Sequence, residues 1–447
     1  MGDSASAEQR AASLWPPALV GFAVALALRV GLIAKFGGNF SFDGFQRWAG
    51  RDHLLVQAWL PVTQGVITGV AALGGGVVAA RVAMAVIAAG AVACGVVVAG
   101  RLGGRVAAWA FLVPACYGPF VVWGSALYQE GTFLLVLFGG LALALSGRWL
   151  LADLAIGLLG LVRYEGWPCV LLYVAWRRDP RVLVALWGIG AWLAIRYGLT
   201  LGGYHASPAD FDDWEGMGQR TTLGSWAEDA ARLFRSAFNS GAVSYVVAAI
   251  VGVATSWRRP GVLLLAAVGL AQMAAVSGWL AGLEVATYRM LVVPAIVAGL
   301  LGAVGAAAAW ARFPDWLRPG LVLVGGVLVG VGLVDGWRLT RSEVWRIRDE
   351  RQLHTMIVAR PDCTWIVTPR TGLGTRARHD GCEVLQGLGA ARHGDGFWCA
   401  TWGPVPAGGG EACVAEAAWE GEQYEITYHG SSLSGVAPAP GAPAMVP

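Results

Sequence analysis

The sequence has little charge for its length. Only 14% of its 447 residues are Asp, Glu, Lys or Arg, and 56% are hydrophobic. A soluble domain carries roughly 25% charged residues, so most of this chain is not a soluble globular protein. Lysine is nearly absent as well, because Lys35 is the only one. Arginine is therefore the general cation of the chain, and its abundance alone does not indicate a phosphate site.

Patterns typical of two other function classes are also missing. No CxxC pair occurs among the seven cysteines, which weighs against a zinc site. No internal repeat stands out, which weighs against transporters that are built from inverted repeats.

The cysteines fall into two groups. Cys94, Cys116 and Cys169 lie inside apolar runs and are predicted to be small buried hydrophobic residues. The other four lie within about fifty residues of one another in the polar C-terminal part. If that part faces an oxidising compartment, they are candidates for one or two disulfides. These four are Cys363, Cys382, Cys399 and Cys413.

Apolar runs dominate the rest and predict an all-α polytopic membrane protein with about eleven transmembrane helices. A full span needs about 20 residues, and two of the runs are shorter. These two, 151–162 and 167–176, are predicted to form a broken pair that meets at residues 163–166. All the runs are 15–36, 80–99, 106–123, 131–146, 151–162, 167–176, 182–201, 241–256, 261–280, 290–310 and 320–336.

The arginines between the apolar runs predict the orientation. Short loops on one side are dense in arginine. The loops on the other side are longer and also carry acids; they are 37–79, 124–130, 202–240 and 281–289. Under the positive-inside rule the arginine-rich side is cytoplasmic, so we expect a multi-pass protein of the cytoplasmic membrane. The arginines on the predicted inner side are Arg10, Arg101, Arg105, Arg148, Arg177, Arg178, Arg181, Arg258, Arg259, Arg312 and Arg318.

The same alternation places the C-terminal part outside the cytoplasm. We predict a transmembrane domain over residues 1–337, a small extracytoplasmic domain over 338–430 and a low-complexity tail over 431–447. Strand-like runs such as CTWIVTP and EQYEITY predict mixed or β character for the extracytoplasmic domain. All four disulfide candidates fall in it, which agrees with an oxidising outer compartment.

Acids and arginines collect at breaks between apolar runs on the predicted outer side. Each has an ordinary structural explanation. Asp43 fits a solvated loop and Glu130 a helix N-terminus, Arg163 fits a local pair with Glu165, and Arg289 fits an interfacial anchor. Their common face favours a pocket for a substrate with a lipid tail and a phosphate head, because arginine binds phosphate oxygens bidentately and a carboxylate can deprotonate a hydroxyl.

An ordered series of motifs resembles the polytopic glycosyltransferases of the GT-C superfamily. The motifs are FDGFQRWA, ARVAMAVIAAG, FLVPACYGPFVVWGSALYQEGTFLLVLFGGLALAL, GRWLLADLAIGLLGLVRYEGWPCVLL and TYRMLVVPAIV. The resemblance extends over about residues 15 to 310. It is strongest to the bacterial branch related to protein O-mannosyltransferases and lipid A aminoarabinose transferases, glycosyltransferase family 39.

This resemblance implies transfer of a sugar from a polyprenyl-phosphate donor to an acceptor on the outer side of the membrane, with inversion. The acceptor is a glycan, a lipid or a protein, and nucleic acid is not an expected partner. Asp43 is then the general base, and Arg163 and Arg289 bind the donor phosphate. The residues expected to support them or to hold the acceptor are Glu130, Glu165 and Tyr288.

Two departures from the family leave its metal dependence open. Asp43 is followed by Gly44 rather than by a second acid, and Glu130 stands alone where the family has an acidic pair. A divalent metal therefore stays a candidate cofactor, but no residue is assigned to it. His53 and His205 are predicted to be surface residues rather than ligands. A polytopic transporter or lipid flippase without transferase activity is the alternative interpretation.

Overall fold

The structure is a computed structural model that describes the chain in several ranges. They are residues 14–36, 47–48, 51–52, 54, 60–201, 231, 242–259, 261–280, 291–320, 322–331, 334 and 338, and four strands between 364 and 429. Every structural statement below concerns these residues. Asp43, Tyr288 and Arg289 lie outside them, as do His53 and His205.

Helices make up most of the described part. In chain order they are α1 Trp15–Phe36, α2 Pro61–Ala72, α3 Val77–Gly103, α4 Arg105–Ala110, α5 Leu112–Ala115, α6 Gly118–Trp123, α7 Glu130–Leu145, α8 Trp149–Leu158, α9 Gly166–Arg177, α10 Trp187–Leu201, α11 Ala242–Ser256, α12 Val262–Leu280 and α13 Val292–Arg312. Short 3₁₀ helices lie at Leu159–Leu161, Pro180–Leu186 and Asp315–Leu317. Residues 322–331 are also helical.

Three helices of the described part are long and apolar enough to cross a membrane. They are Trp15–Lys35, Val77–Gly103 and Val292–Arg312. Several other apolar helices have only 10–17 residues, which is less than the ~20 that a full span needs. A mostly helical membrane protein is thus indicated by length and composition, and the number of about eleven spans stays a prediction.

The apolar run 106–123, predicted to be one span, is three short helices. Cys116 follows the end of α5, and α6 begins at Gly118 with Pro119 in its first turn. Proline has no amide hydrogen to donate, so Pro114 and Pro119 both interrupt the pattern of i to i−4 bonds that a continuous helix requires. Hydrophobicity alone did not reveal these breaks.

The predicted outer loop 37–79 also contains a helix. α2 begins at Pro61, whose fixed φ suits the first helical turn, after Leu60 in extended conformation. Thr63, Gln64 and Ile67 on this helix are buried. The segment was predicted to be part of an outer loop.

The core forms around α3 and α13, and small residues let these helices approach their neighbours closely. A Cβ on Gly131 of α7 would lie 3.0 Å from the Cβ of Ala88 on α3. A Cβ on Gly305 of α13 would lie 2.7 Å from the Cα of Gly252 on α11. Such contacts between backbones are typical of helix packing in membranes, where burial from water supplies no driving force between helices.

The chain divides into two compact units. One comprises residues 1–37 and 53–339, and the other comprises 38–52 and 340–447. The second unit contains a four-stranded sheet in the order β2-β1-β4-β3, in which β1 pairs with β2 in parallel and the other pairs are antiparallel. The strands are β1 Thr364–Pro369, β2 Cys399–Ala400, β3 Ala415–Glu420 and β4 Tyr424–His429.

Three of the four cysteines predicted to form disulfides lie outside the described residues. Cys399 is the first residue of β2, while Cys363, Cys382 and Cys413 lie outside the described residues. The pairing of these four cysteines therefore stays a prediction, as do the domain boundaries.

Candidate functional site

Three of the predicted site residues meet in the structure. Arg163 Nη1 donates to Glu130 Oε1 at 2.8 Å, and Arg163 Nη2 donates to Glu165 Oε1 at 2.6 Å. Arg163 Nε also donates to Glu165 Oε2 at 3.2 Å, so Glu165 binds the guanidinium bidentately. We call Glu130, Arg163 and Glu165 the glutamate–arginine cluster.

A tight turn between α7 and α8 brings Glu130 to Arg163 across 33 positions of sequence. α7 starts at Glu130 and ends at Leu145, and α8 starts again at Trp149 and runs back. Gly147 lies in this turn with φ +74°, a conformation that glycine adopts without the steric cost of a side chain. The first residue of α7 therefore lies at the same end of the helix pair as the residues that follow α8.

The predicted break at residues 163–166 is present in the structure. α8 tightens into the 3₁₀ helix Leu159–Leu161, and α9 begins at Gly166. A Cβ on Gly166 would lie 2.5 Å from the carbonyl oxygen of Leu159. The start of α9 can therefore approach the end of α8 this closely only because residue 166 has no side chain. Glu165 is the N-cap residue of α9, but its side chain makes no cap bond and binds Arg163 instead.

A glutamine on α12 ties the cluster to a distant part of the chain. Gln272 is buried, and its Nε2 donates to the carbonyl oxygen of Glu165 at 2.5 Å and to Cys169 Sγ at 3.1 Å. Cys169 Sγ itself donates to the carbonyl oxygen of Glu165 at 3.5 Å. Cys169 is buried as predicted, but it is a hydrogen-bonding residue beside the cluster and not only a small hydrophobic one.

Burial makes the ion pairs of the cluster important for the stability of the protein. The exposed fractions of Glu130, Arg163 and Glu165 are 0%, 5% and 8%. Exposed pairs contribute little, whereas a buried charge that loses its partner is strongly destabilising. Two carboxylates against one guanidinium leave these three groups with one excess negative charge, which favours further cations nearby.

Two more arginines are buried at the turn that precedes Glu130. Arg29 of α1 is fully buried; its Nη1 donates to the carbonyl oxygen of Ala25 and its Nη2 to that of Phe120, both at 3.0 Å. Its guanidinium carbon lies 4.4 Å from the centre of the Phe120 ring. Arg81 of α3 is 5% exposed, and its Nε donates to the carbonyl oxygen of Ser125 at 2.8 Å.

Sequence reasoning did not assign roles to Arg29, Arg81 or Gln272. The signal was present, because Arg29 stands alone in the apolar run ALALRVGLIA and Gln272 stands alone in LLLAAVGLAQMAAV. A lone ionisable or strongly polar residue in a membrane helix faces the protein interior and is a candidate for function. Arg29, Arg81 and Arg163 are thus three buried guanidinium groups.

The remaining predicted site residues are not described. Asp43, Tyr288 and Arg289 lie outside the described residues, so their distance from Arg163 stays a prediction. Within the described ranges, no group of three His, Cys, Asp or Glu side chains is placed to hold a metal ion.

Comparison with known proteins adds little. No protein-family model and no curated protein matches the chain. Among solved structures, the chain is similar to the crystal structure of ArnT from Cupriavidus metallidurans in the apo state, with 15% sequence identity and a TM-score of 0.40. The match covers 78% of this chain and 66% of that chain, which is slightly less than two thirds. A TM-score this low transfers no activity or residue role, so the resemblance to GT-C enzymes rests on the motifs of the sequence.

Proposed function

We propose that the protein is an integral membrane glycosyltransferase that moves a sugar from a polyprenyl-phosphate donor to an acceptor hydroxyl. The observation that carries the proposal is the buried glutamate–arginine cluster at a helix break, together with Arg29 and Arg81, which bind the carbonyl oxygens of Phe120 and Ser125 shortly before Glu130. Arg29, Arg81 and Arg163 are buried guanidinium groups that offer N–H donors to an anionic ligand. A phosphate with a lipid tail fits both the charge and the apolar helices around it.

Arginine is suited to this ligand for geometric reasons. Its planar guanidinium presents paired N–H donors that match two oxygens of a phosphate. Glu130 and Glu165 fix the orientation of the Arg163 guanidinium before a substrate arrives. A cation that is already oriented stabilises charge developing in the transition state without the cost of reorganisation.

The proposed reaction is a single displacement. Asp43 removes the proton of the acceptor hydroxyl, and the acceptor oxygen forms a bond to the anomeric carbon of the sugar. The bond from that carbon to the donor phosphate oxygen breaks, and its electron pair stays on the polyprenyl phosphate. Arg163 and Arg289 stabilise the negative charge of this leaving group. Attack from the face opposite the phosphate inverts the configuration.

The side of the membrane explains the choice of donor. Glu130, Arg163 and Glu165 lie at the end of α7 and α8 opposite to Arg148, and the positive-inside rule predicts that this is the outer side. Soluble nucleotide sugars do not reach that side, so the sugar has to arrive on a lipid carrier. Glu130, Glu165 and Tyr288 would then support the arginines and the acceptor.

The test compares cell-envelope glycans, glycolipids and glycoproteins by mass spectrometry with and without the protein. Absence of the protein should remove one added sugar from one class of acceptor. Asp43→Asn should give the same loss, since a positioned base contributes about 10²–10⁴-fold. Asp52→Asn is the matched control, because Asp52 is an exposed acid nearby in sequence.

Near-normal glycosylation in Asp43→Asn would overturn the assignment of the base. An unchanged glycan profile in the strain that lacks the protein, together with loss of lipid-linked sugar from the outer leaflet, would instead support a flippase without transferase activity.

A further inference from the structure

A second network of charged and aromatic residues lies at the other end of α8 and α9, away from the glutamate–arginine cluster. Asp153 is 2% exposed and accepts a hydrogen bond from Tyr173 Oη at 2.8 Å and one from Arg177 Nη1 at 2.5 Å. Arg177 Nη2 donates to Asp179 Oδ2 at 3.1 Å. The Arg177 guanidinium also lies 4.5 Å from the centre of the Trp149 ring. These contacts fix the start of α8 against the end of α9.

Three exposed arginines surround this network. Arg148 directly precedes Trp149, and Arg178 directly follows Arg177. The backbone N–H of Arg181 donates to Asp179 Oδ1 at 3.0 Å, which ties the third arginine to the network. Within the described ranges no carboxylate pairs with any of the three side chains. We call Arg148, Arg178 and Arg181 the arginine patch.

The backbone of Arg178 indicates that this side chain has a role of its own. Arg178 ends α9 with φ +54° and ψ +22°, the left-handed conformation in which a helix usually places glycine. It is the one residue other than glycine with positive φ in the described part of the chain. A side chain kept in an unfavourable backbone conformation points to a function rather than to local stability.

The surroundings of the patch are those of a membrane surface. Trp149 and Trp187 are 40% and 39% exposed, and Leu150 and Leu183 are 62% and 58% exposed. Tryptophan is enriched where the lipid headgroups begin, and exposed leucine suits the acyl chains just below. Arginines flanked by such residues suit the level of the phosphate groups of a bilayer.

We propose that the arginine patch binds the headgroup of an anionic phospholipid in the leaflet at this end of the helices. Arg177 faces two carboxylates in the network, Asp153 and Asp179, and the three guanidinium groups of the patch outweigh that one excess negative charge. They therefore attract a net negative headgroup, and the arginine fork matches its phosphate oxygens. The network beneath them keeps the backbone of all three arginines in place. This site is separate from the proposed catalytic site and does not depend on it.

The test measures lipid binding to the purified full-length protein in detergent by native mass spectrometry. The probes are phosphatidylglycerol and phosphatidylcholine with the same acyl chains. The patch variant is Arg148→Gln, Arg178→Gln, Arg181→Gln. The control is Arg101→Gln, Arg105→Gln, Arg312→Gln, which removes the same charge from exposed arginines elsewhere.

We expect the patch variant to bind phosphatidylglycerol at least tenfold more weakly and the control to stay within twofold of the wild type. Binding of phosphatidylcholine should be weaker than that of phosphatidylglycerol and nearly the same in all three proteins. Equal losses in the patch variant and the control, or no loss in either, would overturn the site. Displacement of phosphatidylglycerol by millimolar inorganic phosphate would overturn the choice of a lipid.

Arg178→Gly separates a structural role from a binding role. Glycine adopts positive φ without strain, so this variant should unfold at a higher temperature than the wild type. It should nevertheless bind phosphatidylglycerol several-fold more weakly. Wild-type binding in a stabilised Arg178→Gly protein would remove Arg178 from the site.

Discussion

At the scale of single residues, the protein keeps several charges where water does not reach. Arg163 is held by two glutamates, while Arg29 is held by two carbonyl oxygens and the face of an aromatic ring. The two arginines therefore differ in what their removal exposes. Loss of Arg163 leaves Glu130 and Glu165 without the guanidinium that binds both. Loss of Arg29 leaves no carboxylate behind, because its partners are two backbone carbonyl oxygens and an aromatic ring.

Removal of Arg163 alone should be costly. We expect Arg163→Ala to destabilise the protein by about 3–5 kcal/mol, because two buried carboxylates lose their common partner. Replacement of the whole cluster by neutral side chains, in Glu130→Gln, Arg163→Met, Glu165→Gln, should recover most of that stability. Thermal unfolding in detergent measures both. If Arg163→Ala unfolded at the temperature of the wild type, the two ion pairs of Arg163 would not stabilise the protein as expected.

Removal of Arg29 should affect function more than stability. The Phe120 carbonyl oxygen also accepts the amide of Gly124 at 2.9 Å, so it keeps a partner in Arg29→Met. We expect an unfolding temperature close to that of the wild type, because a buried cation is replaced by an apolar side chain of similar length. Sugar transfer should fall at least tenfold, since the site loses positive charge. Full activity in this variant would remove Arg29 from the anion site.

At the scale of elements, close contacts between helices position the site. α11 and α13 meet through Gly252 and Gly305, and α7 meets α3 through Gly131. α12 carries Gln272 to the backbone of Glu165 across 107 positions. The site is thus assembled from helices that are far apart in the sequence.

The contact between α11 and α13 gives a matched pair of glycine substitutions. A Cβ on Gly252 would overlap the carbonyl oxygen of Leu301, whereas a Cβ on Gly31 of α1 would meet no atom within 4 Å. Gly252→Ala should therefore destabilise the protein by about 1–3 kcal/mol. Gly31→Ala should be neutral or stabilising by up to about 1 kcal/mol. Equal effects on thermal unfolding would contradict the packing of these helices.

At the scale of the whole molecule, the charges are distributed unequally between the two ends of the helices. The glutamate–arginine cluster is buried at one end of α8 and α9, and the arginine patch is exposed at the other. This distribution follows from the short arginine-rich loops that predict the orientation. It also separates the proposed transfer of sugar from the proposed contact with anionic lipid.

Reporter fusions test this orientation. Alkaline phosphatase joined after Ser146 should be inactive, because the turn between α7 and α8 is predicted to be cytoplasmic. The same enzyme joined after Pro447 should be active, because the C-terminal part is predicted to be outside. Green fluorescent protein at the two positions should give the opposite pattern. The reverse result at both positions would overturn the orientation and, with it, the need for a lipid-linked donor.

The sequence by itself determined the chemical character of this protein. Low charge and long apolar runs predicted helices for a membrane, and Arg163-Tyr164-Glu165-Gly166 predicted the break between α8 and α9, because these properties are local. The sequence also selected Glu130, Arg163 and Glu165 as site residues.

Only the tertiary structure decided which residues meet. The bond from Arg163 to Glu130 spans 33 positions, and the one from Arg29 to Phe120 spans 91. Such pairs depend on how helices turn and pack, which hydrophobic periodicity does not specify. The division of the run 106–123 into three helices is different, because its prolines are local and hydrophobicity alone did not reveal their effect. The structure thus turned a set of polar residues at helix breaks into a buried cluster in which two glutamates bind one arginine.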